Sequence, residues 1–293
     1  MLWLIFSLSA LFLWAIVNIL DKHVLSTELK DPRLSTAVVG LVTYGLFFVL
    51  SIFYGDFKIT NSALMAVVLT GALVYPLAIW LYYYVMRKME VSRFVPILSL
   101  EPLLIAVLVF TFLGERLNEM TYGAIVVMVL GAILVSWKRG RKHGALLTFI
   151  GVLAMALFSL RNVLLDYAFI GNGYWAVMFW FSLSGFIACL ILFAFSYRHL
   201  HGEPAEGARH LVLSGFLSAL GLLAFAKAMT LGSVTLSTAI LSTKPLLVFL
   251  MVTILSFVSP RFVRESHDRK QILQKFIGTV LILLGSVFML IWK

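Results

Sequence analysis

Charged side chains are scarce in this chain, since Asp, Glu, Lys and Arg make up 12% of its 293 residues. Soluble domains contain about 25% charged and about 45–50% apolar residues. Here the apolar residues reach 62% and the mean hydropathy is +1.03. One water-soluble core cannot bury this excess, so the composition predicts that lipid is the solvent for most of the chain. No stretch has the composition of a separate soluble domain.

Several chemical signatures are also missing. The chain has one cysteine, Cys189, which excludes an internal disulfide. It has neither the glycine-rich P-loop of ATP-driven pumps nor the Gly-x-Ser-x-Gly turn of serine hydrolases. His199 and His201 lie close in sequence but have no cysteine partner, and we interpret them as part of a solvated loop. The sequence therefore predicts no enzyme, no cofactor and no metal site.

Long apolar runs fill most of the chain. A membrane-spanning helix needs about 20 mostly apolar residues, and ten segments meet this requirement. They cover residues 2–20, 34–54, 63–86, 94–113, 120–137, 145–165, 174–197, 211–231, 234–258 and 276–292. We predict an all-α membrane protein with ten transmembrane helices.

Positive charge is concentrated in alternate connections between these spans. The formal net charge of +10 could indicate a nucleic-acid partner, yet seventeen of the 23 Lys and Arg residues fall in the odd-numbered connections. Cytoplasmic loops of membrane proteins carry such an excess. The pattern predicts a multi-pass protein of the inner (plasma) membrane with both termini on the non-cytoplasmic side. It gives no reason to expect a nucleic-acid partner.

Equivalent connections in the two halves differ in charge. Residues 55–61 carry one Lys, whereas their counterpart at 198–209 carries two Arg and two His. Two five-helix units related by an axis in the membrane plane place equivalent loops on opposite sides. We therefore predict two inverted five-helix repeats, residues 1–137 and 144–293. A basic cytoplasmic linker at residues 138–143 joins them.

Each half contains a proline directly after an ionisable residue, near the middle of an apolar run. These pairs are Glu101-Pro102 and Lys244-Pro245, whose charged residues lie 143 positions apart. Proline removes one helical hydrogen bond, and interrupted helices at matching places in two repeats are typical of transporter binding sites. We predict that Pro102 and Pro245 break their helices at bilayer depth, close to a substrate.

Several of these motifs resemble the EamA domain of the drug/metabolite transporter superfamily. In the first half they lie at residues 80–84, 87–92, 101–102 and 114–117, followed by Gly123 and Gly131. In the second half they lie at residues 226–235 and 242–245, followed by Gly278 and Gly285. The second half departs from the family pattern at residues 258–260, where a Gly-Glu pair is common.

The resemblance implies a transporter fold over nearly the whole chain. Small multidrug carriers of this superfamily use a glutamate in the first helix, and the matching position here is Trp14. Carriers of sugar nucleotides and phosphate esters in the same superfamily use buried Lys and Arg instead. Lys244 is similar in placement to their basic residue, which implies an anionic rather than a cationic substrate.

Ionisable residues within the spans are the main candidates for substrate contact, because a charge at the centre of a membrane helix costs about 2.5–3.5 kcal/mol. We expect Lys244 and Arg161 to bind an anionic group, with Lys227 adding positive potential on the outer side. Alternatively, Glu101–Lys244 and Arg161–Asp166 form structural ion pairs. Lys227 would then extend toward the lipid headgroups.

Glu101 is also a candidate for proton coupling. A carboxyl group in a low-dielectric environment retains its proton more readily than one in water. An ion pair with Lys244 would oppose this effect, so the sequence leaves both roles open for Glu101.

Uncharged polar residues within the spans complete the candidate site. Asn18 and Asn162 lie 144 positions apart, late in the first helix of each half. They can bind substrate or form interhelical hydrogen bonds. Tyr82 and Tyr83 can hydrogen-bond a polar substrate or simply pack.

Together these features predict a secondary active transporter that works by alternating access and carries a small polar, anionic organic metabolite. The expected partners are this metabolite and the lipid bilayer, for a monomer or a homodimer. One alternative is an amino-acid or zwitterion exporter of the same fold, with Glu101 binding the amino end and Lys244 the carboxylate. Another is a non-transporting flippase subunit for a lipid carrier, or a membrane scaffold.

Overall fold

The computed structural model describes residues 2–29, 31–54, 57–89, 94, 97–98, 100–113, 119–136, 144–197, 205–232, 234–241, 243–258 and 269–291. Within these ranges every regular element is a helix and no strand occurs. The helices are α1 (Leu2–Thr27), α2 (Pro32–Tyr54), α3 (Asn61–Lys88), α4 (Glu101–Leu113), α5 (Glu119–Ser136), α6 (Gly144–Phe169), α7 (Tyr174–Ser196), α8 (Ala205–Leu231), α9 (Val234–Leu241), α10 (Lys244–Val258) and α11 (Arg269–Ile291).

Six of these helices, α1, α2, α3, α6, α7 and α8, are long and apolar enough to cross a membrane. The all-helical, membrane-spanning character predicted from composition is therefore confirmed. The other four predicted spans correspond to α4, α5, the pair α9 and α10, and α11. Their arrangement as ten inverted spans stays a prediction, and the predicted linker at 138–143 lies outside the described residues.

Helix α1 is longer than the predicted span at residues 2–20, because it continues to Thr27. Residues 21–27 contain neither Gly nor Pro, so nothing in the local sequence ends the helix there. The chain turns before α2 instead, where the Arg33 backbone N–H donates to Asp31 Oδ1 over 2.8 Å. As a result, Asp21 lies inside α1 and is buried, although the charge pattern had assigned it to a loop.

The predicted span at residues 234–258 consists of two helices. Helix α9 ends at Leu241 and α10 begins at Lys244, with Pro245 as its second residue. Between them, the Thr243 N–H donates to the Ile240 carbonyl over 3.1 Å. Because Pro245 has no N–H, it fits the first turn of α10, where donors lack intrahelical partners.

Helix α4 begins in a similar way at Glu101, after a turn in which the Leu100 N–H donates to the Ile97 carbonyl over 3.1 Å. Pro102 is its second residue. Both Glu101 and Lys244 therefore occupy the first position of a helix. This position favours a carboxylate and disfavours an ammonium group, since a helix N-terminus carries partial positive charge.

Helix α3 contains one wider turn, a π-helical segment at Thr70–Val74. There the Tyr75 N–H donates to the Thr70 carbonyl, five residues back. Pro76 follows and has no N–H to donate. The Gly71 carbonyl instead accepts from the buried Tyr44 hydroxyl of α2 over 3.0 Å.

The helices pack in several close pairs, which include α5 with α11, α2 with α7, α1 with α8, and α6 with both α3 and α4. Glycines bring α5 and α11 together: a Cβ atom on Gly131 would lie 2.6 Å from the Gly278 carbonyl oxygen. A Cβ on Gly285 would lie 2.8 Å from the Ala124 carbonyl oxygen. Larger side chains at either position would separate the two backbones.

Candidate functional site

A cavity of about 90 Å³, lined by both apolar and charged side chains, lies between helices from both halves of the chain. It can hold several water-sized groups, since one water needs about 10–15 Å³ on the same scale. Its lining comes from α1, α3, α4, α6, α8 and α10, with one residue from α2 and one that precedes α4. These residues are Trp14, Val17, Asn18, Asp21, Val39, Tyr75, Ile79, Tyr82, Tyr83, Leu98, Glu101, Met155, Phe158, Arg161, Ser218 and Lys244.

At one end of the cavity, Asn162 connects two opposite charges. The Arg161 guanidinium donates to Asn162 Oδ1 from Nε over 2.8 Å and from a terminal nitrogen over 2.5 Å. The Asn162 amide donates in turn to Glu101 Oε1 over 2.5 Å. The amide thus fixes the carboxylate and the guanidinium relative to each other, and both still line the cavity.

Aromatic rings hold the Arg161 guanidinium in place. Its central carbon lies 4.8 Å from the centre of the Tyr75 ring and 5.5 Å from that of Phe158. Arg161 is only 3% exposed. A guanidinium stacks on aromatic faces at low desolvation cost, so the rings stabilise a buried cation whose Nε edge is bonded to Asn162.

Lys244 offers a second positive charge. Its Nζ lies 5.7 Å from the centre of the Trp14 ring. Lys244 is the first residue of α10 and lines the cavity. Among the described residues, no ion pair or hydrogen bond joins its ammonium group to Glu101 or to another acceptor. The Glu101 carboxylate is bonded to Asn162 instead, and a structural Glu101–Lys244 pair stays a prediction.

Asp21 forms a second polar cluster at the cavity. It is 1% exposed and accepts hydrogen bonds from the Ser214 hydroxyl and, over 3.1 Å, from the Tyr82 hydroxyl. The same Tyr82 hydroxyl lies 2.9 Å from Asn18 Oδ1. The Asn18 amide nitrogen is buried and has no acceptor among the residues that the structure describes.

Most of the candidate residues meet at this cavity. Its lining includes Lys244, Arg161, Glu101, Asn18, Tyr82 and Tyr83. Asn162 is fully buried directly behind, bonded to two of them. Lys227 does not line the cavity: it is exposed, and its Nζ lies 5.4 Å from the centre of the Tyr174 ring.

The residues that sequence reasoning missed are Asp21 and Trp14 on α1. Both share a helical face with Asn18, because positions 14, 18 and 21 follow the spacing of four and three residues that aligns side chains. That spacing was the available signal. It becomes informative only once α1 is known to continue beyond residue 20.

Beyond the cavity, α1 is tied to its neighbours at its C-terminal end. Lys22 Nζ donates to the backbone carbonyls of Met86 over 2.8 Å and Met89 over 2.6 Å, at the end of α3. Glu28 lies 2.8 Å from His210 Nδ1 on α8 and 3.5 Å from His23 Nε2. These contacts join the same end of α1 to both α3 and α8.

The side chains that line the cavity determine which ligands it can contact. Within the described ranges, no group of three or more His, Cys, Asp and Glu side chains is arranged to bind a metal ion. The groups that face the cavity are two carboxylates, two cations, an amide and tyrosine hydroxyls. Such a set binds a small polar molecule through charge-assisted hydrogen bonds.

Known proteins were compared with this chain. A family model described as the EamA-like transporter family matches residues 1–137. An uncharacterized protein of Methanocaldococcus jannaschii is 28% identical over 107 residues, which cover 36% of this chain and 78% of that protein. One solved crystal structure superposes with a TM-score of 0.63 at 15% identity, covering 98% of this chain and 96% of the other.

The structural likeness extends the shared fold over almost the whole chain. The family match covers the motifs at residues 80–84, 101–102 and 114–117 that indicated the resemblance in sequence. With six apolar helices long enough to cross a bilayer, the protein is a multi-pass membrane protein. Its first 137 residues are similar to the EamA-like transporter family.

Proposed function

We propose that this protein is a secondary active transporter that carries a small polar organic metabolite with an anionic group across the inner (plasma) membrane. The observation that carries the proposal is the pair of cationic side chains, Arg161 and Lys244, in one buried cavity lined by both halves of the chain. Among the described residues, the Lys244 ammonium has no acceptor within hydrogen-bond distance, and a buried charge without one is costly. A bound anion would offset that cost.

The two cations would bind the anionic group in different ways. Arg161 offers a planar guanidinium that is positioned by Asn162 and by the Tyr75 and Phe158 rings. Lys244 offers a compact charge with freely rotating donors. Its position at the start of α10 is unfavourable for capping that helix, which supports a role in binding rather than in local stability.

Binding can be tested with the full chain in detergent. Thermal unfolding would be measured against a panel of carboxylates, phosphate esters and amino acids, and each stabilising compound would then be tested for exchange in proteoliposomes. A compound at 100 times its dissociation constant stabilises the folded state by about 2.7 kcal/mol. The proposal predicts that some anionic compounds stabilise the protein and exchange across the bilayer. It fails if none does, and a copurifying lipid would then favour the flippase-subunit alternative.

A zwitterion such as an amino acid is the second candidate substrate. The observation that favours it is Asp21, since the cavity then contains two carboxylates, Asp21 and Glu101, beside two cations. A zwitterion would pair with charges of both signs, with its ammonium group at a carboxylate of the protein and its own carboxylate at Lys244. Competition by phosphate esters but not by amino acids would exclude this version.

Alternating access between two inverted repeats is the mechanism that we propose. Its support is the way in which the first helix of each half, α1 or α6, packs against the other half. Helix α1 packs against α8, and α6 packs against the equivalent helix α3. Helix α1 also packs against the pair α9 and α10, and α6 packs against the equivalent helix α4. Lining residues also occur in pairs 144 positions apart, such as Trp14 with Phe158. Because one chain supplies every lining residue, a monomer suffices, and a homodimer would hold two such cavities.

A further inference from the structure

We propose that Asp21 is a proton-binding site of this carrier and that the Tyr82 hydroxyl links its protonation to Asn18 at the cavity. The proposal rests on the proposed transport function for its role, but the site itself follows from the geometry around Asp21. Glu101, the carboxyl group that the sequence suggests for proton coupling, is already bonded to Asn162 and faces the two cations.

The surroundings of Asp21 contain hydroxyl groups instead of cations. Its carboxylate accepts from Ser214 and Tyr82, and the Tyr83 hydroxyl also faces it. The neighbouring Lys22 is directed to carbonyls at the end of α3. No basic side chain forms an ion pair with Asp21 among the described residues. A buried carboxylate without a cationic partner is costly, and a bound proton removes this cost.

The other ionisable groups near α1 are directed elsewhere. On α8, His210 is bonded to Glu28, more than a helical turn beyond Asp21. Helix α9 carries no ionisable residue along Val234–Leu241. On α10, the Lys244 ammonium lies over the Trp14 ring, and on α3 the remaining titratable group at the cavity is Tyr75, which stacks against Arg161.

The Tyr82 hydroxyl has one proton and two acceptors. Asn18 Oδ1 lies 2.9 Å away and Asp21 Oδ2 lies 3.1 Å away. When Asp21 is ionised, the hydroxyl donates to the carboxylate. When Asp21 has taken up a proton from water, its own O–H donates to the Tyr82 oxygen, and the Tyr82 proton is donated to Asn18. One proton enters and forms an O–H bond at Asp21, the hydrogen bonds of Tyr82 rearrange, and no other covalent bond changes.

Because the Tyr82 hydroxyl donates either to Asp21 or to Asn18, protonation of Asp21 is coupled to the hydrogen bonding of a residue that lines the cavity. Asn18 lines the cavity, and its buried amide nitrogen has no acceptor among the described residues, which leaves this donor for a substrate. Its orientation depends on whether Tyr82 donates to Asn18 Oδ1. Substrate affinity would therefore differ between the protonated and ionised states of Asp21, which is the condition for coupled transport.

Infrared spectroscopy of the purified full chain tests the site without any substrate. In neutral buffer, where exposed carboxyl groups are ionised, the wild type should show a protonated-carboxyl band. Asp21→Asn should lose that intensity, whereas Glu101→Gln should keep it, and Tyr82→Phe should shift its frequency. If Asp21→Asn does not fold, Asp21→Glu serves instead and should move the band rather than remove it.

Two results would overturn the proposal. One is a band of unchanged intensity and frequency in every Asp21 variant that folds. The other is loss of the wild-type band on addition of sodium chloride but not of choline chloride, which would show that a metal cation is the ligand.

Proteoliposomes test the link to transport, using any compound that exchanges in the assay described above. Wild-type accumulation should rise when a pH gradient is imposed. For Asp21→Asn, the ratio of accumulation with and without the gradient should fall to one, whatever the absolute rate. A ratio equal to that of the wild type would contradict the link. If no compound exchanges even in the wild type, the transport function fails, while the infrared result still decides the proton site.

Discussion

At the scale of single residues, the cavity separates two kinds of polar group. Glu101 and Arg161 are held by one shared amide, Asn162. Lys244 and the Asn18 amide nitrogen have no such hydrogen-bond partner among the described residues. Groups that are fixed by neighbours shape the site, whereas donors without a partner are free to bind a ligand.

Removal of the Lys244 charge should therefore affect binding more than folding. We expect Lys244→Ala to weaken binding of the anionic compound about 10- to 100-fold, because a hydrogen bond to a charged group contributes about 1.5–3 kcal/mol. The measurement is a thermal-shift titration in detergent, followed by exchange in proteoliposomes.

Lys227→Ala is the matched control, since Lys227 is exposed and outside the cavity lining. It should bind and exchange like the wild type. Equal losses in both variants would mean that the effect is one of general charge rather than of the site. Rescue of Lys244→Glu by Glu101→Lys would instead indicate a structural ion pair.

At the scale of elements, the π-helical turn of α3 depends on a side chain from another helix. Tyr44 of α2 donates to the Gly71 carbonyl within that turn. Tyr44→Phe should leave this buried carbonyl without a donor, which costs about 1–3 kcal/mol, and should lower the thermal unfolding temperature. It should also reduce exchange, since the turn sets the position of Tyr75 beneath Arg161.

Tyr54→Phe is the appropriate control for that experiment. Tyr54 also lies on α2, but it is exposed and stacks on Trp175. Its unfolding temperature should match the wild type. Equal unfolding temperatures for Tyr44→Phe and Tyr54→Phe would show that the turn does not need the hydroxyl.

The α5–α11 contact offers a second test at this scale. Gly131→Val would place a branched side chain against the Gly278 backbone, 2.6 Å from a Cβ atom. We expect a loss of about 1–3 kcal/mol, as for other overpacked contacts. Gly123→Val on the same helix has no atom within 4 Å of its Cβ. Thermal unfolding should separate the two variants, and similar stabilities would argue against the close contact.

The sequence predicted helices and three of the four charged residues that line the cavity, because a charged residue within a long apolar run can be recognised from the sequence alone. Glu101, Arg161 and Lys244 were found in this way. Asp21 was missed because a charge near the end of an apolar run looks like the start of a loop. Its partner Ser214 lies 193 positions away, and no local pattern could reveal that contact. The π turn at Thr70–Val74 likewise depends on Tyr44 from another helix.

At the scale of the whole molecule, the proposed inverted repeat predicts on which side of the membrane equivalent loops lie. Lys58 and Arg209 lie in or beside equivalent connections of the two halves, and both are exposed. In a Cys189→Ser background, a membrane-impermeant maleimide added to intact cells should label Lys58→Cys. It should label Arg209→Cys only after permeabilisation. Labelling of both from the same side would refute the inversion, whereas the buried Cys189 itself should not react.

The two ends of α1 differ in the kind of contact that holds them, because Lys22 and Glu28 form polar contacts at the C-terminal end. At the C-terminal end, polar bonds hold α1 to α3 and α8, whereas near the N-terminal end Trp3 packs its ring against Gly232. Opening the cavity toward the C-terminal end requires rupture of directional bonds, some of them to histidine. Opening toward the other end would separate the apolar contact between Trp3 and Gly232. The two access states would consequently respond differently to salt and proton concentration, so the carrier would exchange at different rates in its two orientations in a vesicle.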